Sequence, residues 1–305
     1  MKTSLKSSDQ IKESVKKKYA EISTQSKADN ESSCCGAGGS CGPVNTVDYS
    51  VFADDYTGMK GYNADADLGL GCGLPTEFAK MKAGDTIVDL GSGAGNDAFV
   101  ARQVVGDSGR VIGIDMTEAM VEKARKNAEK LQYSNVEFEL GDIESMPLQS
   151  EIADVVVSNC VLNLVPDKEK AFSETHRILK KGGHFSISDV VIVGDLPDEI
   201  KEDAEMYAGC VAGAIDKDEY LDIIDKVGFK NITVQKIKEI NLPDEILSSY
   251  LSPNGMIDFR NSDIGIFSIT VFAQKEGGEK ESSKAEEVTM LAGDSSACAP
   301  GSGCC

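Results

Sequence analysis

Residues 87–97 read I-V-D-L-G-S-G-A-G-N-D, and this stretch restricts the possible folds more than any other. A short apolar run, Ile87 and Val88, ends in the carboxylate of Asp89 and then turns through Gly91, Gly93 and Gly95. Glycines at alternate positions let a backbone adopt dihedrals closed to other residues and approach a ligand closely. A helix over residues 97–105 then aims its unpaired N–H groups at whatever occupies the turn. Strand, glycine turn and helix in this order open an α/β sheet that binds a cofactor at its strand ends. A glycine turn alone also suits a plain loop, so its surroundings decide.

A second strand, residues 110–115, ends in Asp115, 20 residues beyond Gly95. An acid at that place binds ribose hydroxyls in nicotinamide and adenosylmethionine enzymes alike. The nicotinamide fingerprint G-x-G-x-x-G is not met, because the third glycine comes one residue early. Asp89 also stands two residues before the first glycine. A carboxylate there repels a pyrophosphate but suits a cationic aminoacyl group, so the spacing favours a sulfonium cofactor.

The middle of the chain alternates between the two periodicities. Strands are predicted at 86–90, 111–115, 136–140, 153–159 and 184–193, with helices at 97–105 and 171–179 and a third capped by Thr117. That third helix carries Met120, Ala124, Ala128 and Leu131 on one stripe. The helix at 171–179 is expected to stop at Lys180-Lys181-Gly182-Gly183, where cations and glycine suit a C-terminus. The near-continuous apolar run of 153–159 is that of a central parallel strand buried on both faces. Together these elements predict a doubly wound parallel sheet. Beyond Pro197, helices are expected at 198–214 and 217–227, the second closed by Gly228. Strands follow at 232–240 and 266–274, the last returning antiparallel at the sheet edge. Upstream, Ile11, Val15, Tyr19 and Ile22 make residues 9–22 an amphipathic helix that packs on its own domain. Four parts result: an N-terminal helix and Cys/Gly-rich linker (1–46), a cofactor-binding core (47–195), a C-terminal region completing the sheet (196–275) and a Cys-containing tail without core pattern (276–305).

Charge and cysteine usage exclude several functions. The 305 residues include 31 Lys plus Arg against 51 Asp plus Glu, a net charge of −20 that repels phosphate backbones and argues against nucleic acid. No run approaches the ~18 apolar residues of a membrane span. No apolar targeting segment opens the chain, so a cytoplasmic protein without membrane partners is expected. Nine cysteines in that compartment are not a disulfide framework. Six lie near the ends (Cys34, Cys35, Cys41, Cys298, Cys304 and Cys305), while Cys72, Cys160 and Cys210 stand singly. The two histidines, His176 and His184, lack the companions of a zinc finger.

The glycine turn, Asp115, G-D-I-E at 141–144 and L-K-K-G-G at 179–183 together resemble the class I S-adenosylmethionine-dependent methyltransferases, over roughly residues 84–193. The resemblance implies an α/β, Rossmann-like, mostly parallel seven-stranded sheet with an antiparallel edge strand and a substrate-binding C-terminal region. It also implies that Asp89, Gly91 and Gly93 line the aminoacyl part of S-adenosylmethionine and that Asp115 takes its ribose. Met116, Asp142 and Ile143 would then surround the adenine, and Asn159 would complete the set. Residues 158–164, S-N-C-V-L-N-L, are not the [DNS]-P-P-[YF] box of nucleobase amine methylation.

The contexts D-L-G-L-G-C-G-L-P (Cys72), S-N-C-V-L-N-L (Cys160) and Y-A-G-C-V-A-G-A (Cys210) look like those of the arsenite methyltransferase family, over about residues 49–229. In that family three such cysteines bind As(III), a soft centre suited to thiolate ligands. The resemblance implies arsenite or its thiol conjugates as substrate and a thiol reductant such as thioredoxin or glutathione. Each cysteine alone is equally a small buried hydrophobe. A methyltransferase acting on a quinone or other small carbon acceptor shares the cofactor site but gives no reason for Cys72 on its glycine loop. A thiol-rich metalloid-sequestering protein explains the terminal cysteines but not Asp89, Asp115 and Asp142. The terminal cysteines suit arsenic capture, disulfide resetting or no role, and the sequence does not choose among them. It is equally silent on the number of methyl groups added.

Overall fold

The computed structural model describes residues 7–27, 30, 54–194, 213–240, 244–262 and 264–277. Cys34, Cys35, Cys41, Cys210, Cys298, Cys304 and Cys305, and most of the helix expected at 198–214, lie outside the described residues. One mixed sheet organises the rest. Its strands are β1 (Thr86–Leu90), β2 (Arg110–Asp115), β3 (Val136–Leu140), β4 (Ala153–Asn159), β5 (Leu179–Val193), β6 (Phe229–Glu239) and β7 (Gly265–Lys275). Their order is β3-β2-β1-β4-β5-β7-β6. The pairs from β3 across to β5 are parallel. At the far edge β7 runs antiparallel, inserted between β5 and the outermost β6, rather than lying outside both.

Period-two alternation on these strands feeds two apolar layers. On β4, Val155 and Val157 enter one layer and Val156 the other. The first layer is closed by helices α3 (Asn96–Val105) and α4 (Glu118–Lys130), through Phe99, Met120 and Ala124. The second is closed by α5 (Lys168–Ile178) and α6 (Lys217–Val227), through Phe172, Ile178, Tyr220 and Ile224. Gly228, at φ +109, ends α6 in the left-handed turn that only glycine adopts without strain. A third apolar cluster sits over the carboxyl ends of the strands and gathers Val15, Cys72, Cys160, Val190, Ile240 and Leu247. It is covered by α1 (Ser8–Ile22) and by two short helices, α7 (Asp244–Tyr250) and α8 (Pro253–Arg260).

Two expectations need correction. The helix α5 ends at Ile178, and Lys180-Lys181-Gly182-Gly183 belong to the start of β5. Leu179 pairs with Ala153 but the next pair is His184 with Val155, so a bulge with Gly182 at φ +79 absorbs the lysines and glycines. Thr117 stands at the N-cap of α4 without a side-chain capping bond; its backbone N–H instead donates to Asp115 Oδ1 at 2.8 Å. Between β6 and β7 the chain forms α7 and α8. No helix among the described residues is long and apolar enough to cross a membrane.

Candidate active site

A cleft opens at the carboxyl ends of β1, β2 and β4. These strands meet where the sheet order reverses, because the chain leaves β1 toward β2 on one side and returns as β4 on the other. Crevices at such a reversal are the usual ligand sites of open α/β sheets. Asp89, Gly91, Gly93, Asp115, Met116, Asp142, Ile143 and Asn159 all line it. Gly91, at φ +63, has no room for a side chain, since a Cβ there would collide with Val161. The turn also brings the Gly93 N–H to Asp115 Oδ2, 3.0 Å away.

The cleft is strongly acidic. Asp89 is 2% exposed, and its Oδ2 is buried without a hydrogen-bond partner among the described residues. Burial, then the charges of Asp97 and Asp115, push its carboxyl well above the ordinary carboxylate range. Asp115 is likewise raised by burial, against the N–H donors of Thr117 and Gly93. A buried carboxylate oxygen left unpaired in a ligand-sized cleft is costly unless a cationic group meets it. The ammonium and sulfonium of S-adenosylmethionine have the right charge, so these residues fit that cofactor. Asp142 differs. Burial would raise its carboxyl, but Lys12 Nζ at 2.6 Å and the Glu144 N–H hold it below the ordinary range. Lys12 Nζ also reaches Glu144 Oε2 at 2.6 Å, so α1 is tied across the rim of the cleft.

Cys160 lines the cleft, and the sulfur of Cys72 is buried beside it. Cys72 and Cys160 are 0% and 4% exposed, and their Sγ atoms lie with a carboxylate oxygen of Asp189 within 4.8 Å of one another. Each cysteine is fixed by its backbone. The Cys72 N–H donates to Asn159 Oδ1 at 3.0 Å, and its carbonyl accepts from Ser268 Oγ on β7. Cys160 donates its N–H to the Ser188 carbonyl at 2.8 Å and sits at φ +62, a conformation uncommon for a residue with a Cβ. This left-handed turn ends β4 abruptly. Strain of that kind, of order 1–3 kcal/mol, persists where the surroundings over-determine it.

Several contacts of the site carry no sequence signal. Asn159 Nδ2 donates to the Gly73 carbonyl at 2.8 Å and the Tyr56 hydroxyl at 2.6 Å, so its side chain clamps the 71–73 loop from both sides. Tyr56 in turn donates to Asp97, 2.9 Å from either oxygen. Burial lifts the Asp97 carboxyl to about 6, against hydrogen bonds from Tyr56 and Asn159. Gly71 is required by the clamp, because a Cβ there would lie 2.5 Å from Asn159 Nδ2. Tyr56, Asp97, Asp189 and Lys12 come from four distant segments, and no spacing in the sequence joins them.

The chain is similar to known proteins in sequence and fold. A family profile described as a methyltransferase domain matches residues 81–228. The arsenite methyltransferase of Halobacterium salinarum is 41% identical over 242 residues, 74% of this chain and 59% of that protein. The human arsenite methyltransferase is 44% identical over 142 residues, 44% of this chain and 38% of its own length. The chain therefore spans about half the length of the curated relatives it matches. Among solved structures, an arsenic(III) S-adenosylmethionine methyltransferase from Chlamydomonas reinhardtii is similar at 32% identity and a TM-score of 0.58. That match covers 68% of this chain and 69% of the algal one.

Proposed function

Because the chain belongs to the arsenite S-adenosylmethionine methyltransferase family, we propose that it methylates As(III) held by the sulfurs of Cys72, Cys160 and Cys210. The observation that carries this reading is the pair of buried sulfurs, Cys72 and Cys160, close to one another, with Cys160 lining the acidic cleft. A quinone or other carbon acceptor gives no reason to hold a cysteine on the 71–73 loop with four hydrogen bonds. Sequestration of metalloids gives no reason for the unpaired oxygen of Asp89.

S-adenosylmethionine, when bound, supplies an electrophilic sulfonium methyl group. Asp89 meets its ammonium, Asp115 its ribose hydroxyls, and Met116, Asp142 and Ile143 border the adenine. Asn159 acts differently from a direct cofactor ligand, since its amide is spent on the 71–73 loop; it sets the position of Cys72. Trivalent arsenic bound through three sulfurs keeps one lone pair directed away from them and has no proton to lose. The protein then needs no general base and contributes mainly orientation, worth about 7–11 kcal/mol in favourable cases. Keeping the sulfurs reduced calls for a thiol reductant such as thioredoxin or glutathione, and hence for a reducing compartment such as the cytoplasm. Product speciation after incubation with arsenite, S-adenosylmethionine and a thiol tests the reading. Methylated arsenicals should form, and Cys72→Ser or Cys160→Ser should abolish them while cofactor affinity is retained. Methylation of a quinone but not of arsenite would overturn it.

A further inference from the structure

We infer that Tyr56 is a positioning residue that couples the two ends of the site, so that a cofactor bound among the acids tightens the loop carrying Cys72. The cofactor and arsenite thereby strengthen each other's binding. This inference rests on the arsenite reading above. Tyr56 is 5% exposed, and its hydroxyl stands at a junction of three groups. It accepts from Asn159 Nδ2 at 2.6 Å, and its one proton has two acceptors. Asp97 offers both carboxylate oxygens at 2.9 Å, and the Gly73 carbonyl lies 3.1 Å away. Asp97 lines the cleft with Asp89, and its charge acts on that carboxyl. Gly73 follows Cys72 directly. One hydroxyl thus joins a cofactor-facing acid to the substrate loop. The proton itself stays on Tyr56, since burial and the Asp97 charge raise the phenol well above its ordinary range. The chain beside it is pinned as well, because Asp54 pairs with Lys236 at 2.7 Å and Lys238 at 2.9 Å.

A hydroxyl proton shared between two acceptors goes mostly to the stronger one, and a carboxylate is a stronger acceptor than a carbonyl. In the ligand-free protein Asp97 therefore takes the greater share, and the bond to Gly73 is the weaker of the two. The Gly73 carbonyl then relies chiefly on Asn159 Nδ2, 2.8 Å away. Once Asp97 is neutralised by the ammonium of the cofactor, its pull on the proton weakens. The Tyr56 hydroxyl turns toward Gly73, whose carbonyl gains a second full bond, and the 71–73 loop is held more firmly. Only the direction of one O–H changes, so the ring and the backbone stay in place. Such coupling is reciprocal: what the cofactor does for arsenite, arsenite does for the cofactor.

The test uses the full-length chain and S-adenosylhomocysteine, which keeps the ammonium and has no methyl to give. Calorimetric titration should find arsenite bound about five- to tenfold more tightly with S-adenosylhomocysteine present than without it. In Tyr56→Phe that ratio should fall to about one, while arsenite affinity without S-adenosylhomocysteine changes less than about twofold. A merely structural role predicts the reverse, equal losses in both states with the ratio intact. Asp97→Asn leaves no charge to neutralise. It should bind arsenite without S-adenosylhomocysteine nearly as tightly as the wild type does with it, and it decides the matter if Tyr56→Phe fails to fold. A wild-type ratio near one, or the wild-type ratio retained in either variant, overturns the inference. Hydrogen exchange with no arsenic present separates that failure from a failure of the arsenite reading. Amides of the 71–73 loop should slow on adding S-adenosylhomocysteine in the wild type and not in Tyr56→Phe. Slowing in both, or in neither, overturns the role of Tyr56. Slowing in the wild type alone, in a chain that binds no arsenite, supports the link through Tyr56 and overturns the arsenite reading.

Discussion

At the scale of single residues, the site is built from groups held where they do not want to be. Asp89 is the clearest case, a carboxyl raised by burial and by two neighbouring acids, with one oxygen unpaired. Asp89→Asn should leave the ligand-free protein as stable or more stable, because the repelled charge is gone. It should weaken S-adenosylmethionine by about 10- to 100-fold, the usual cost of a lost charge-assisted hydrogen bond. Calorimetric titration and thermal melts of the same variant check both halves. Asn159→Ala makes the opposite kind of prediction. It releases the Cys72 N–H and the Gly73 carbonyl, so arsenite affinity should fall several-fold more than cofactor affinity, read by parallel titrations. That Asp89, Gly91, Gly93 and Asp115 meet at one cleft is legible in the sequence because glycine spacing and strand-end acids lie within one local unit. The contacts of Asp97, Tyr56 and Asp189 are not, because they join residues 41 and 31 positions apart.

Elements show the same division between local and distant causes. The strands β1, β3 and β4 and the helix α6 start and stop where apolar periodicity and Gly228 say they should. The boundary between α5 and β5 was misjudged, since lysines and glycines that end a helix also suit a bulge. The helices α7 and α8 are short, and Asn254-Gly255, a turn signal by itself, is overridden in the first turn of α8. There Ser252 caps the Gly255 N–H at 3.1 Å and Pro253 starts the helix. A Ser-Pro start was therefore available as a signal. The amphipathic stripe of α1 was legible, but not its position over the cleft, where Val15 and Lys12 line the wall. Lys12→Ala should remove both ion pairs at the rim and speed cofactor dissociation, measured by stopped flow. It should also lower the melting temperature, because Glu144 is 5% exposed and loses its cation.

For the whole molecule, acidity sets the response to pH. Asp97 and Asp189 are lifted to about 6 and about 7, and Asp89 and Asp115 are raised as well. A carboxyl raised in the folded state holds its proton more tightly than in the unfolded chain, so its contribution to stability is present at low pH. That contribution is lost as pH rises through the folded value. The net charge of −20 works in the same direction by self-repulsion. The ligand-free chain should therefore melt higher at about pH 5.5 than at about pH 7.5, and Asp97→Asn should narrow the gap in scanning calorimetry. Below about pH 4 the trend should reverse, as Asp54, Asp142 and Glu174, held low by Lys236 and Lys238, Lys12 and Arg177, take up protons.

The insertion of β7 between β5 and β6 has its own outcome during synthesis. Of the described strands the last to be synthesised is an interior one, so the growing polypeptide keeps the flank of β5 bare until residue 275 emerges. Ser268 on that strand also secures the carbonyl of Cys72, a residue translated far earlier. The 71–73 loop of a nascent chain therefore lacks one of its anchors until β7 has been made and inserted.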